Sequence, residues 1–363
     1  MPAPAPAHRL GLGLAAIARP AYITSGRAGE LGDDRDVATL RDRSRALLDA
    51  AYAAGVRYVD VARSYGRAEE FLAAWLADRP GVTGGGDPVE IGSKWGYRYV
   101  GGWRTEADTH EVKDHSLDAF TEQYASTHEL LGDHLGIYHV HSATLDTGVL
   151  DDVRVHRAMA HLRDRGVRVG ISTSGPAQAD AVRRALEVRV DGEPLFTSFQ
   201  STWNPLEPSA GPALAEAADA GARVIVKEVF ANGRLAPGGE DGTDGARAAA
   251  ALAVRTGVPL DRIAVAAALA NPWAWRVLLG PVGTGQLASN LAGAELTLPA
   301  DAVDELATLA EPAERYWATR SARPWSCPCV SRRTYARLPS SHLAAPSTSP
   351  ADVARPRGEE EGT

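Results

Sequence analysis

Two hydrophobic periods alternate along this chain. Short apolar runs rich in Val, Ile and Leu, bounded by Gly, Pro or polar clusters, carry the marks of buried strands. Between them lie longer stretches with the three-to-four-residue spacing of amphipathic helices. The strand-like runs fall at residues 10–17, 56–61, 88–94, 136–142, 167–174, 196–204, 223–228 and 277–280. Helical patterns occupy 37–54, 68–77, 117–131, 153–165, 211–220, 246–256, 261–270, 284–292 and 301–310. Gly55, Gly166 and Gly221 stand where helix C-caps are expected. Pro176 sits early in a further helix after the fifth run, where a missing amide is harmless.

Strand–helix alternation predicts parallel pairing, and eight such units favour a single-domain (β/α)8 TIM barrel. Its expected bounds are 9–338. A doubly wound open sheet is the alternative. Gly11 and Gly13 lie in the first run, but no third glycine and no immediate helix follow, so a dinucleotide-binding fingerprint is missing there. Residues 1–8, rich in Pro and Ala, and 339–363, rich in Pro, Ser, Ala and Glu, are expected to be disordered. Residues 10–18 do not read as a signal-peptide core, because just His8 and Arg9 precede them and no lasting apolar run follows. No stretch of the sequence reads as a membrane span, and no membrane partner is expected.

Composition narrows the class. The 363 residues are 44% hydrophobic, ample for a core, and carry a formal net charge of −8. The basic residues are scattered, which argues against nucleic acid as a partner. Cys327 and Cys329 make neither a disulfide framework nor a zinc site, so a reducing cytoplasm is expected.

In a barrel, polar residues at the carboxyl ends of the strands converge on one mouth. Here they are Asp60, with Tyr65 a turn later, then Lys94, His141, Ser172, Gln200 and Lys227. Asp60 and Tyr65 could equally cap and pack the next helix, and Asp60 with Lys94 could be a structural ion pair at the rim. His139 and His141 share one strand face, so spacing does not choose between them. The long segment 95–113 carries Trp95, Tyr97, Tyr99 and Trp103; its length suggests function, and Trp95, Tyr97 and Trp103 are candidate walls of a substrate pocket. His110, Glu111, Asp114 and His115 cluster nearby, but no metal is expected there.

Taken together, Asp60-x4-Tyr65-Gly66, Lys94 after an apolar strand, Ile-Tyr-His-Val-His141, Gly170-Ile-Ser172, Gln200-Ser-Thr-Trp-Asn204 and the segment 280–290 resemble the aldo-keto reductase family over roughly residues 9–309. The resemblance implies reversible reduction of an aldehyde or ketone by a nicotinamide cofactor on a metal-free barrel, and the aromatics of segment 95–113 suit an aromatic or sugar-derived carbonyl. Tyr65 would give the proton. An ordinary tyrosine titrates near ~10, and a Lys94 ammonium held by Asp60 would lower that value. His141 would orient the carbonyl; His139 falls where the family usually has glutamine.

The resemblance further implies that Ser172 and Gln200 hold the nicotinamide carboxamide. Lys227 replaces a stacking tyrosine, with Trp203 or Phe230 as substitutes. Gln286 and Asn290 would serve the adenosine end. Gly280 and Gln286 stand where Lys and Arg are frequent, which weakens a 2′-phosphate clamp. The resemblance still makes NADP(H) the first expectation, and the missing cations make NAD(H) the alternative. The competing functions are a cofactor-binding sensor or regulatory subunit, resembling the potassium-channel β subunits, and a Schiff-base lyase using Lys94 or Lys227.

Overall fold

Eight parallel strands close into a barrel in the computed structural model, which describes residues 6–22, 31, 34–82, 84, 87–239 and 242–325. In chain order the elements are β1 (Leu10–Gly13), α1 (Val37–Ala53), β2 (Tyr58–Asp60), α2 (Ala68–Ala77), β3 (Glu90–Trp95), β4 (Tyr97–Tyr99), β5 (Glu111–Lys113), α3 (Leu117–Leu131) and β6 (Leu135–Ala143). Then come α4 (Val153–Asp164), β7 (Arg168–Thr173), α5 (Gln178–Leu186), β8 (Arg189–Val190), β9 (Glu193–Pro194), β10 (Ser198–Thr202), α6 (Gly211–Asp219) and β11 (Arg223–Lys227). The last are α7 (Asp244–Thr256), α8 (Leu260–Leu269), β12 (Arg276–Leu279), α9 (Thr284–Ala292), α10 (Ala300–Ala307) and α11 (Ala313–Ser321). The ring runs β1–β12–β11–β10–β7–β6–β3–β2 and excludes the open-sheet alternative.

Side chains fill the barrel, so it has a floor under its mouth. Tyr58, Ile137, Ile225 and Leu278 form a small inner cluster apart from the main core. Glycine makes room for the tyrosine ring: a Cβ on Gly92 would fall 2.1 Å from Tyr58 Oη, and one on Gly11 2.7 Å from its ring. The outer core lies between strands and helices, where Leu40, Leu47, Leu48 and Ala51 of α1 are buried. Asp36 starts that helix by accepting the amides of Ala38 at 2.7 Å and Thr39 at 3.0 Å.

Several strands are shorter than their apolar runs. Residues 14–17 leave the sheet as a turn, yet Leu14, Ala16 and Ile17 stay buried, because the turn packs at the mouth. Apolar continuity there reports burial rather than extension. The segment 95–113 contains an antiparallel hairpin, β4–β5, pairing Tyr97 with Lys113 and Tyr99 with Glu111. A second hairpin, β8–β9, precedes β10, and α11 follows the last expected helix. The chain is already ordered at Pro6–Arg9, a 3-10 turn from which Arg9 donates to the carbonyls of Leu269, Asn271 and Ala274. Cys327, Cys329 and the tail 339–363 lie outside the described residues. Among the described residues no helix is long and apolar enough to cross a membrane.

Candidate active site

β2 and β3 pair so that Asp60 lies beside Gly92, which places Lys94, two residues further along β3, at the same carboxyl-end rim. Lys94 Nζ donates to Asp60 Oδ1 and, at 3.0 Å, to the Val61 carbonyl. Both side chains are essentially buried. The other carboxylate oxygen accepts from Gln200 Nε2 at 2.7 Å and Tyr58 Oη at 3.4 Å. Asp60 thus has donors on both oxygens, which is what keeps a buried carboxylate tolerable.

Tyr65 follows on the turn after β2. Gly66 is required there: its φ is +60°, and a Cβ would fall 2.5 Å from the Ala18 carbonyl oxygen. The Tyr65 ring stands over the Lys94 ammonium, 4.9 Å from centroid to Nζ. Its hydroxyl lies 3.4 Å from His141 Nε2. On the opposite side of the imidazole, Ser64 Oγ is 3.5 Å from Nδ1. With Ser64 donating to Nδ1, Nε2 carries the ring hydrogen and can donate into the cavity.

A kink fixes His141. The β6–β7 register shifts between Val140 and Ala143, and Ser142 takes a φ of +53°. His115 Nε2 donates to the His141 carbonyl at 2.8 Å, and the Ser142 amide donates to Ser172 Oγ at 2.9 Å. His139, the rival in the same strand, is fully buried, bonded to Ser198 Oγ at 2.9 Å, and does not border the cavity.

A cavity of about 200 Å³ opens above these groups, bordered by Asp60, Tyr65, His141 and Gln200 and by Tyr22, Tyr97, Phe230 and Trp325. Burial pushes the Tyr65 hydroxyl well above its ordinary value, and Asp60 adds to the rise. The expected lowering by Lys94 is therefore not the net result, because burial, with Asp60 beside it, dominates. Of the leading influences on Tyr65, Arg19 is the one that lowers it. Burial also pulls the Lys94 ammonium below its ordinary value, against Asp60, and holds His141 well below its own, as a neutral ring.

The aldo/keto reductase family model matches residues 28–311. The chain belongs to the aldo/keto reductase family. Solved structures of the family share the fold. The aldo-keto reductase AKR11C1 from Bacillus halodurans, in its holo form, superimposes with a TM-score of 0.61 at 21% identity, over 84% of this chain and 93% of that one. PA4992 of Pseudomonas aeruginosa, assigned as a candidate aldo-keto reductase, gives 0.55 at 21% identity over 79% and 88%. No curated protein matches the chain.

For an aldo/keto reductase, the remaining expected residues divide sharply. Gln200 and Lys227 border the cavity; Ser172 does not, and instead pins the β6 kink. Lys227 Nζ donates to Thr202 Oγ1 at 2.8 Å and lies 3.7 Å from Glu228, and burial brings its pKa down to about 8. Phe230 faces the cavity, whereas Trp203 packs edge-on against Trp273. Gln286 Oε1 accepts the Val282 amide at 2.9 Å, and Asn290 donates to Asp261 at 2.8 Å, so both brace α9 rather than the cavity.

Among the aromatics, Tyr97 alone of Trp95, Tyr97 and Trp103 borders the cavity, edge-on to His141 at 5.0 Å. Trp95 is fully buried against Phe120 and His115; Trp103 packs on Phe71 and donates to the Arg35 carbonyl. The loop polar cluster is dispersed: Glu111 pairs with Arg19, His115 with the His141 carbonyl, Asp114 with Arg98, and His110 stacks on Trp325. Among the described residues no three His, Cys, Asp or Glu side chains converge as metal ligands.

Sequence reasoning missed Arg19, Tyr22, Arg320 and Trp325 as neighbours of the site. Arg320, on α11, clamps Glu228 through Nε at 2.9 Å and through Nη2. Glu228 follows β11 at a φ of +55°, and Arg320 holds its carboxyl down at about 2 despite burial. The signal for this clamp was weak, because α11 is polar and lies beyond the last clear apolar period.

Proposed function

We propose that this chain reduces an aldehyde or ketone to an alcohol with NAD(P)H, Tyr65 supplying the proton. The observation that carries the reading is the meeting of Tyr65 Oη and His141 Nε2, 3.4 Å apart, at one cavity backed by the buried Lys94–Asp60 pair. When bound, the nicotinamide supplies a hydride to the carbonyl carbon. His141, neutral, donates from Nε2 to the carbonyl oxygen and sets its position. As negative charge grows on that oxygen, Tyr65 gives up its hydroxyl proton to it. A buried tyrosine with a raised pKa rests fully protonated near neutrality, which suits the reductive direction. Lys94, fixed by Asp60, faces the phenolate left behind.

The residues fit such a cofactor. Gly280, at the end of β12, borders the cavity with no atom within 4 Å of where a Cβ would stand, which leaves a cradle open. Gly283 caps α9 without a side chain, so the helix's first amides are available to an anionic group. NADPH is the proposed reductant and NADH the alternative. The aromatic walls Tyr22, Tyr97 and Trp325 suit an aromatic aldehyde or a sugar carbonyl.

The test is fluorescence titration with NADPH and NADH, followed by their oxidation against a panel of aromatic and sugar aldehydes. Cofactor binding with carbonyl-dependent oxidation is expected; tight binding with no turnover across the panel supports the sensor reading instead. Schiff-base chemistry at Lys227 draws on its lowered pKa; borohydride reduction with the same aldehydes is expected to leave Lys227 unmodified.

A further inference from the structure

Arg19 is one of the largest fully buried side chains, and its charge is spent at the mouth. Its guanidinium lies 5.0 Å from the Tyr65 ring centroid, 4.6 Å from that of Tyr22 and 4.9 Å from that of Trp325. Nε donates to the Ala15 carbonyl at 3.1 Å. Nη1 donates to the Ser64 carbonyl at 3.2 Å and to Glu111 Oε1 at 2.6 Å. Three pieces of chain are therefore tied by one group: the turn after β1, the residue just before Tyr65, and the β4–β5 hairpin that also carries Tyr97. The backbone repeats the tie, since the Arg67 amide donates to the Ala18 carbonyl at 3.1 Å and Gly66 sits against Arg19 Cβ.

Burying a guanidinium is costly unless it is paired and hydrogen-bonded. Glu111 supplies the pair. A purely structural tie could be made by a neutral donor, whereas here the cation stands against the face of the proposed acid. Among the described residues, the charged and titratable groups facing Tyr65 are Asp60 and Lys94 from the barrel, His141 from β6, Tyr22 after β1, and the Arg19–Glu111 pair. Asp60 raises the cost of ionising Tyr65, and Arg19 opposes it. Arg19 lies over the ring, and its partner Glu111 is the weaker influence.

We infer that Arg19 is a positioning residue for Tyr65 and the second cation that eases departure of its proton, with Glu111 setting how much of that charge Tyr65 feels. The inference rests on the reading of Tyr65 as the acid. It predicts opposite effects from the two partners. Arg19→Met removes the cation and makes Tyr65 harder to ionise. Glu111→Gln removes the opposing anion while the Ala15 and Ser64 carbonyls still hold Arg19, so Tyr65 ionises more readily. Arg19→Lys keeps a charge without the planar fork and falls between Arg19→Met and the natural chain.

The experiment places a fluorotyrosine at position 65 of the full chain and titrates it by fluorine NMR. Ring fluorination acidifies the phenol, bringing its titration toward the range in which the barrel is folded. The expected result is an upward shift of about one pH unit for Arg19→Met, the order of a unit charge at this distance, and a smaller downward shift for Glu111→Gln. Reduction of 4-nitrobenzaldehyde by the unlabelled variants supplies the catalytic reading, with kcat/KM falling several-fold in Arg19→Met. Shifts in the same direction, or no shift in either variant, overturn the inference. The titration needs no turnover, so an inactive natural chain would count against carbonyl reduction, and an unmoved titration in an active chain against Arg19.

Discussion

Tyr65 Oη and His141 Nε2 stand 3.4 Å apart, one on the turn after β2 and the other at the kink in β6. A carbonyl oxygen that touches both receives two hydrogen bonds, one of which can pass on its proton. Behind them the Lys94–Asp60 pair is buried.

Removing Lys94 strands a carboxylate. Lys94→Met leaves Asp60 buried with just Gln200 and Tyr58 as donors, and breaking a buried pair in this way costs about 3–5 kcal/mol. Lys94→Met combined with Asp60→Asn recovers much of the loss. Denaturant unfolding of the two singles and the double gives the coupling energy; a double variant no more stable than Lys94→Met contradicts the assignment.

His115 makes the fold sensitive to acid. Burial lowers its pKa to about 4, against roughly 6.5 for an exposed ring. The neutral form is the one the fold holds, so its stability is fully present above about 6.5 and is lost as pH falls toward about 4. His115→Gln is expected to flatten the midpoint-versus-pH curve in that window. An unchanged slope means the ring titrates alike folded and unfolded.

Arg320 fastens α11 to the mouth through Glu228, whose carboxyl titrates at about 2. The folded value is depressed, so this stability is present above the ordinary carboxylate range near ~4.3 and lost as pH falls toward about 2. Arg320→Met should speed amide exchange in Ala313–Ser321 while leaving Val37–Ala53 protected. Equal exchange of α11 in Arg320→Met and the natural chain shows that α11 is held by Tyr316 and Trp317 instead.

Cofactor choice is tested at Gly280, which faces open space and has an ordinary backbone conformation. Gly280→Lys is expected to raise the preference for NADPH over NADH about tenfold, the scale of one added charge-assisted contact to a phosphate. Fluorescence titration with both cofactors measures it, and an unchanged ratio removes the 2′-phosphate from the neighbourhood of residue 280.

The eight strands were legible because each is an apolar run bounded by breakers, and the ring they form needs little else. Asp60, Tyr65, Lys94 and His141 were legible because a barrel sends strand ends to one mouth. The β4–β5 hairpin was not: its residues are half polar and half aromatic, a pattern that reads as loop until Tyr97 is seen paired with Lys113. The same ambiguity misplaced Trp95 and Trp103, since an aromatic side chain packs a core as readily as it walls a pocket. Ser172 sits at a strand end as expected, but its hydroxyl serves the kink that orients His141. Arg19 was hidden because a single arginine after an apolar run ordinarily marks a surface; its burial depends on Glu111, 92 residues away in sequence.

The most direct measurement is steady-state reduction of an aromatic aldehyde by Tyr65→Phe beside the natural chain, with cofactor affinity measured on both. Loss of the proton donor is expected to cut kcat by about 100- to 10,000-fold while cofactor affinity stays nearly constant. Turnover by Tyr65→Phe within a few-fold of the natural chain would contradict the central claim.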